Sequence, residues 1–136
     1  LAIANGSSKE ADLPEPIEVQ LKKGVLGLCV LALLARDDSY AYEIASRLSD
    51  AIDMGEGTIY PLMRRMQSDG WVETYLVESP AGPSRKYYRL TDAGRRALED
   101  QGREWRRFAA AVDALIIEAD TPVPATTDTQ EGGAAQ

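Results

Sequence analysis

Between residues 55 and 90 the hydrophobic period changes once, and this change limits the fold more than any other feature of the chain. In GEGTIYPLMRRMQSDGW, Ile59, Leu62, Met63 and Met66 fall at i, i+3, i+4 and i+7. That spacing lines one face of a helix with apolar side chains. Pro61 is compatible because it falls in the first turn, where backbone N–H groups lack helical partners. Gly70 supplies a stop. WVETYLVE (71–78) and RKYYRL (85–90) are β-branched and aromatic with rough alternation, and SPAGPS between them carries turn chemistry. A helix feeding a strand–turn–strand unit is expected.

The flanking segments extend this order. Residues 21–36 contain the run VLGLCVLALLA, shorter than the roughly 20 residues of a membrane span. They read as a helix apolar nearly all round, hence buried. Asp38 or Ser39 can cap a second helix, with Tyr42, Ile44, Ala45 and Leu48 as its apolar stripe. Thr91 can cap a last helix, with Asp92 in its first turn where the dipole favours a negative charge. Three helices, a hairpin and a further helix is the winged helix-turn-helix order, in which the third helix enters the major groove and the wing adds contacts. The expected fold is therefore mainly α with a small β hairpin. Its divisions are a flexible arm over 1–20, a winged-helix domain over 21–90, a C-terminal dimerisation helix over 91–118 and a disordered tail over 119–136. The tail, rich in Thr, Pro, Gly and Ala, cannot bury enough surface to offset the entropy of ordering.

Composition excludes several functions. The 136 residues contain one cysteine and no histidine, so an intrachain disulfide, the common zinc sites and histidine-based catalysis are not expected. No nucleophile–base pair or phosphate-cradling loop is visible, so no catalytic residues, metal or cofactor are expected. Cys29, inside the apolar run, reads as a small buried hydrophobe. The first residues lack a basic region followed by a long apolar stretch, so no signal peptide is expected, and a reduced, cytoplasmic setting fits.

The net charge of -7 has the wrong sign for binding phosphate, but it is unevenly placed. In residues 1–20, Lys9 stands against Glu10, Asp12, Glu15 and Glu18, a net -3. In residues 119–136, Asp120, Asp128 and Glu131 give -3 again. Within residues 58–89, Arg64, Arg65, Arg85, Lys86 and Arg89 outnumber Asp69, Glu73 and Glu78, a net +2. A local basic surface thus survives on an acidic protein.

The candidate DNA contacts follow from this order. Thr58, Tyr60 and Arg64 lie at the start and outer face of the third helix, where hydroxyls reach phosphates and an arginine can pair bidentately with guanine. A plain solvated face is the competing reading. Arg65 points more to the flank and can instead pair with an acid. Arg85 and Lys86 begin the second wing strand, and adjacent strand positions face opposite ways, so only one is expected to meet DNA at a time; both can also be solvated edge charges. Tyr88 and Leu90 share a core face, and Tyr87 and Arg89 the other. Tyr40 can touch the backbone or pack. Lys22 and Lys23 open the first helix and can meet phosphate, with a solvated pair as the preferred reading. On the last helix Leu98, Trp105, Phe108, Val112 and Leu115 form an a/d seam, which suits pairing of two chains; packing on its own domain is the alternative.

The segments SYAYEIASRL, GTIYPLMRRMQSDGWV and GPSRKYYRLTDAGRRAL resemble the PadR-like family of bacterial transcriptional regulators, over roughly residues 21–118. Two departures are Ala41, where the family usually has Gly, and Met63 and Met66, where Leu is commoner. The resemblance implies a homodimer of the short class that binds double-stranded operator DNA, usually as a repressor. The long class carries a further helical domain, for which this chain has no room. Some relatives bind planar aromatic compounds at the dimer interface, so a small hydrophobic or aromatic effector against Trp105 is a further expectation; Trp105 as dimer-core filler is the other. The rival reading is a winged-helix module that binds protein without specific DNA binding.

Overall fold

The structure, a computed structural model, describes residues 16–124. The expectations for the arm before residue 16 and the tail from residue 125 lie outside the described residues. Two compact units divide at Gln101 and Gly102. The elements in order are α1 (Ile17–Arg36), β1 (Ser39–Tyr40), α2 (Ala41–Ile52), a 3-10 turn (Glu56–Thr58), α3 (Ile59–Ser68), β2 (Val72–Ser79), β3 (Gly82–Leu90) and α4 (Asp92–Asp120). This is the winged-helix order with a long helix after it.

The first unit has one core, filled from all three helices and the sheet. Val30 and Leu31 of α1, Ile44 of α2, and Ile59 and Met63 of α3 are fully buried, and Val72, Tyr88 and Leu90 close the core from the sheet. All four apolar positions of the α3 stripe are buried, so the spacing of about 3.6 residues per turn set the face correctly. Gly70 adopts φ +80°. The Gly70 N–H donates to the Gln67 carbonyl and the Trp71 N–H to the Met66 carbonyl, the pair of bonds that defines a Schellman helix end.

The sheet has three strands rather than a bare hairpin, in the antiparallel order β1-β3-β2. β1 is two residues long and pairs Ser39 with Tyr88 and Tyr40 with Tyr87, too short for any periodicity to mark. It also displaces the expected helix cap. Tyr40 is the N-cap of α2, with no side-chain cap bond. Ser39 is buried and its hydroxyl donates to Glu43 at 2.6 Å, while Asp38 accepts the Tyr75 hydroxyl at 2.6 Å.

Two burial expectations need correction. Tyr42 is 60% exposed and does not belong to the α2 stripe. A step of about 100° per residue puts it roughly 110° from the centre of Ile44, Ala45 and Leu48. α1 is not buried all round: Leu26, Val30, Leu31 and Leu34 face the core, whereas Ile17, Leu21 and Ala32 are exposed. A helix that packs on α2 and β3 buries only the flank turned toward them. The helix also starts at Ile17, so residues 17–20 are helical rather than part of an arm.

Thr91 caps α4 as expected and ties it to the turn before the wing. Its hydroxyl accepts the Gly94 N–H at 3.0 Å and donates to the Gly70 carbonyl at 2.6 Å. Gly94 is buried, and a methyl group there would collide with the Trp71 carbonyl oxygen. Leu98, expected to open the seam between chains, instead packs half-buried against the core of its own unit. In the second unit α4 continues with Trp105, Phe108, Val112 and Leu115 exposed, and Ile116 and Ile117 beside them.

Candidate nucleic-acid interface

α3 presents its buried stripe to the core, which leaves Tyr60, Pro61, Arg64 and Arg65 exposed on the opposite side. At about 100° per residue, Arg64 lies roughly 30° from the outward direction, with Tyr60 and Arg65 about 70° to either side of it. The three residues therefore divide between two hollows.

The first hollow, about 620 Å³, opens between α3 and the wing. Tyr60 and Arg64 form one bank, Arg85, Lys86 and Tyr88 the other, and Tyr40, Ala41 and Tyr42 at the start of α2 the floor. Five expected DNA contacts, Tyr40, Tyr60, Arg64, Arg85 and Lys86, thus meet in one place. Tyr42 joins them, a residue that sequence reasoning assigned to the core although its helical angle already set it apart. Its three cations face no carboxylate among the lining residues. Among the described residues, no hydrogen bond or ion pair engages the Arg64 side chain. Cations gathered without a counter-charge make a site for an anion.

Arg85 and Lys86 leave opposite faces of β3, as adjacent strand positions do, yet both line this hollow. β1 covers β3 only at Tyr87 and Tyr88. From Gly82 to Lys86 that edge of β3 is open, so side chains leaving either face can turn around it. The Arg85 guanidinium rests 4.6 Å from the centre of the Tyr40 ring, and the Lys86 ammonium 5.8 Å from that of Tyr88. Cation–π contacts of this kind hold a charge in place without neutralising it.

Behind Arg85 the outer face of the sheet carries a run of rings. Tyr40 lies 5.4 Å from Tyr87, and Tyr87 stacks on Tyr75 at 5.8 Å. Arg89 covers Tyr75 at 4.8 Å and pairs with Glu73 at 3.0 Å. Donation to the Asp38 carboxylate is the main cause that raises the Tyr75 phenol above its ordinary pKa. The far end of the run is thus anchored by a hydrogen bond and the near end holds Arg85 at the hollow.

The second hollow, about 570 Å³, lies on the other flank of α3 and is walled by α1. Thr58 and Arg65 line it, so these two expected contacts do not join the other five. Arg65 does not pair with an acid among the described residues. The Thr58 hydroxyl donates to the Gly55 carbonyl at 3.4 Å, a long bond that leaves the group largely available. Cys29 is half-buried, and burial raises its thiol pKa, which opposes thiolate chemistry. Among the described residues no helix is long and apolar enough to cross a membrane.

Residues 30–100 match the family model described as "Transcriptional regulator PadR-like family". The chain is similar to the crystal structure of a PadR-like transcriptional regulator from Bacillus cereus, at 37% identity and a TM-score of 0.66, over 71% of this chain and 96% of that one. It is also similar to a Streptococcus transcriptional regulator of known structure, at 33% identity and a TM-score of 0.65, over 71% and 96% of the two chains. A Lysinibacillus sphaericus protein named only as uncharacterized protein X is 30% identical over 98 residues, 69% of this chain and 90% of that one. The family consists of DNA-binding transcriptional regulators and not of enzymes. With a winged helix, a cationic hollow beside its third helix and a match over these elements, the chain belongs to the PadR-like family of transcriptional regulators.

Proposed function

We propose that the protein is a homodimeric repressor of the cytoplasm whose two α3 helices enter successive major grooves on one face of its operator. The observation that carries this reading is the hollow in which Arg64, Arg85 and Lys86 converge with Tyr40 and Tyr60 and no lining carboxylate. Arg64, the more outward of the two α3 arginines, reads a base edge, with Tyr60 beside it. Arg85, Lys86 and Tyr40 hold the phosphates of the neighbouring strand, which positions the helix without itself carrying sequence information. Thr58 and Arg65, on the other flank, complete the set.

Dimerisation through α4 is supported by the exposure of Trp105, Phe108, Val112 and Leu115 at steps of 3, 4 and 3 residues, the spacing of a helix-pairing seam. Ile116 and Ile117 widen the apolar surface beyond a strict seam. The open face of α1, with Ile17 and Leu21, offers a second copy further apolar area. The flat face of Trp105 suits stacking on a planar hydrophobic effector. Such a ligand would release DNA by favouring a different spacing of the two reading helices, and DNA would weaken ligand binding by the same factor.

A nuclease footprint of the purified protein on the DNA upstream of its own gene tests the reading. Two protected half-sites are expected, centred roughly 34 Å or one helical turn apart. A single protected half-site, or none, contradicts a dimer reading successive grooves.

A further inference from the structure

The groove that admits α3 has two walls. The major groove is about 12 Å wide, and an α-helix with its side chains is about 10–12 Å across. A helix that fills the groove therefore has a phosphate strand along each flank. The wing-side hollow meets one of these strands. On the opposite flank of α3, Arg65 and Thr58 share the second hollow with Lys22 and Lys23 of α1.

We propose that this second hollow is a phosphate-binding wall, in which Lys23, Arg65 and Lys22 hold the DNA strand that borders the groove on the side away from the wing. The proposal rests on the DNA reading above and adds a role for α1, whose lysines otherwise read as a solvated pair. Among the described residues, Lys22, Lys23 and Arg65 line the hollow together with Asp53. Lys22 is fixed in place: its ammonium donates to the Asp53 backbone carbonyl at 3.0 Å and lies 3.8 Å from the exposed Glu18 carboxylate. It therefore sets the position of the wall. Lys23 and Arg65 are both exposed, one on each bank. Leu26 and Leu62 floor the hollow, an apolar bed along which long cationic stems can lie with their heads in water. The start of α3, with Thr58 at its N-cap, adds the positive end of the helix dipole to the same place.

The two flanks do different work. The wing side combines base reading by Arg64 with phosphate contact, whereas the lysines of the second hollow sit on α1 and not on the helix that enters the groove. The second wall therefore contributes affinity that is independent of base sequence and strongly dependent on salt.

The test uses the full chain and the doubly substituted Lys23→Gln, Arg65→Gln protein, with affinity for the footprinted DNA measured by fluorescence anisotropy across a salt series. Lys22 is left intact because it ties α1 to the end of α2. The slope of log affinity against log salt is expected to become shallower by about one for each phosphate contact removed, so by about two for each protomer. The preference for operator over unrelated DNA is expected to stay as it was. Alkylation of single phosphates should also stop interfering on the strand away from the wing. If the double variant keeps the unsubstituted slope and interference pattern, the second wall is refuted while the DNA reading stands. If the unsubstituted protein shows no salt-dependent binding, the DNA reading itself fails. A Lys23→Glu protein gives an independent check: a loss of affinity larger than that of Lys23→Gln supports the wall, and equal affinity of the two contradicts it.

Discussion

Arg64 and Arg65 are neighbours in sequence, yet they line different hollows. One residue of α3 turns the side chain by about 100°, enough to carry it from the wing side of the helix to the α1 side. Arg64→Ala is therefore expected to weaken operator binding by about 1–3 kcal/mol and to relax preference at one base pair, the cost of one bidentate base contact. Competition binding against operators mutated at single positions measures it; an unchanged preference would remove Arg64 from base reading. The outward placement of Arg64 was legible in the sequence because the apolar stripe of α3 is complete. The convergence of Tyr40 and Arg85 was not, because their 4.6 Å contact joins positions 45 residues apart through the pairing of β1 with β3. Tyr42 lay within reach of the same angular reasoning that placed Arg64, and was misplaced only because an aromatic residue beside a stripe is easily counted into it.

Elements with caps and clear periods were readable, and those lacking both were not. The Gly70 stop and the Thr91 cap have local chemistry and appear where expected. β1 has two residues, and its pairing partner lies almost fifty positions along the chain. The same limit explains α1: a run apolar on several faces states that each face avoids water, but not whether its own domain or a second copy covers it. The junction between wing and α4 carries a sharper constraint. Gly94 lies directly against the Trp71 carbonyl, under the Leu90 side chain. Gly94→Ala is expected to destabilise the protein by about 1–3 kcal/mol, the usual cost of forcing atoms into a closed site. Denaturant unfolding would show a lower midpoint with an unchanged slope. Equal stability would mean that the helix can shift away from Trp71 without cost.

At the scale of the molecule, two surface features call for partners. Most of the large apolar side chains left in water lie on the second unit's helix and on α1, with Leu76 and Val77 on β2 and Tyr42 and Tyr60 at the wing-side hollow besides, while cations line both flanks of α3. The first arrangement calls for a second copy of the chain. A Phe108→Asp, Leu115→Asp protein should be monomeric by sedimentation and should bind operator far more weakly, with each half-site then held by a single protomer; a stable dimer would move the interface elsewhere. The second arrangement calls for a polyanion. The most direct test of that central claim is the affinity of the unsubstituted protein for the DNA upstream of its own gene, measured as salt is raised. With Arg85 and Lys86 engaged in both protomers, log affinity should fall against log salt with a slope of about -4, and with Lys22, Lys23 and Arg65 as well, about -9. An affinity that stays level across the salt series would contradict the claim.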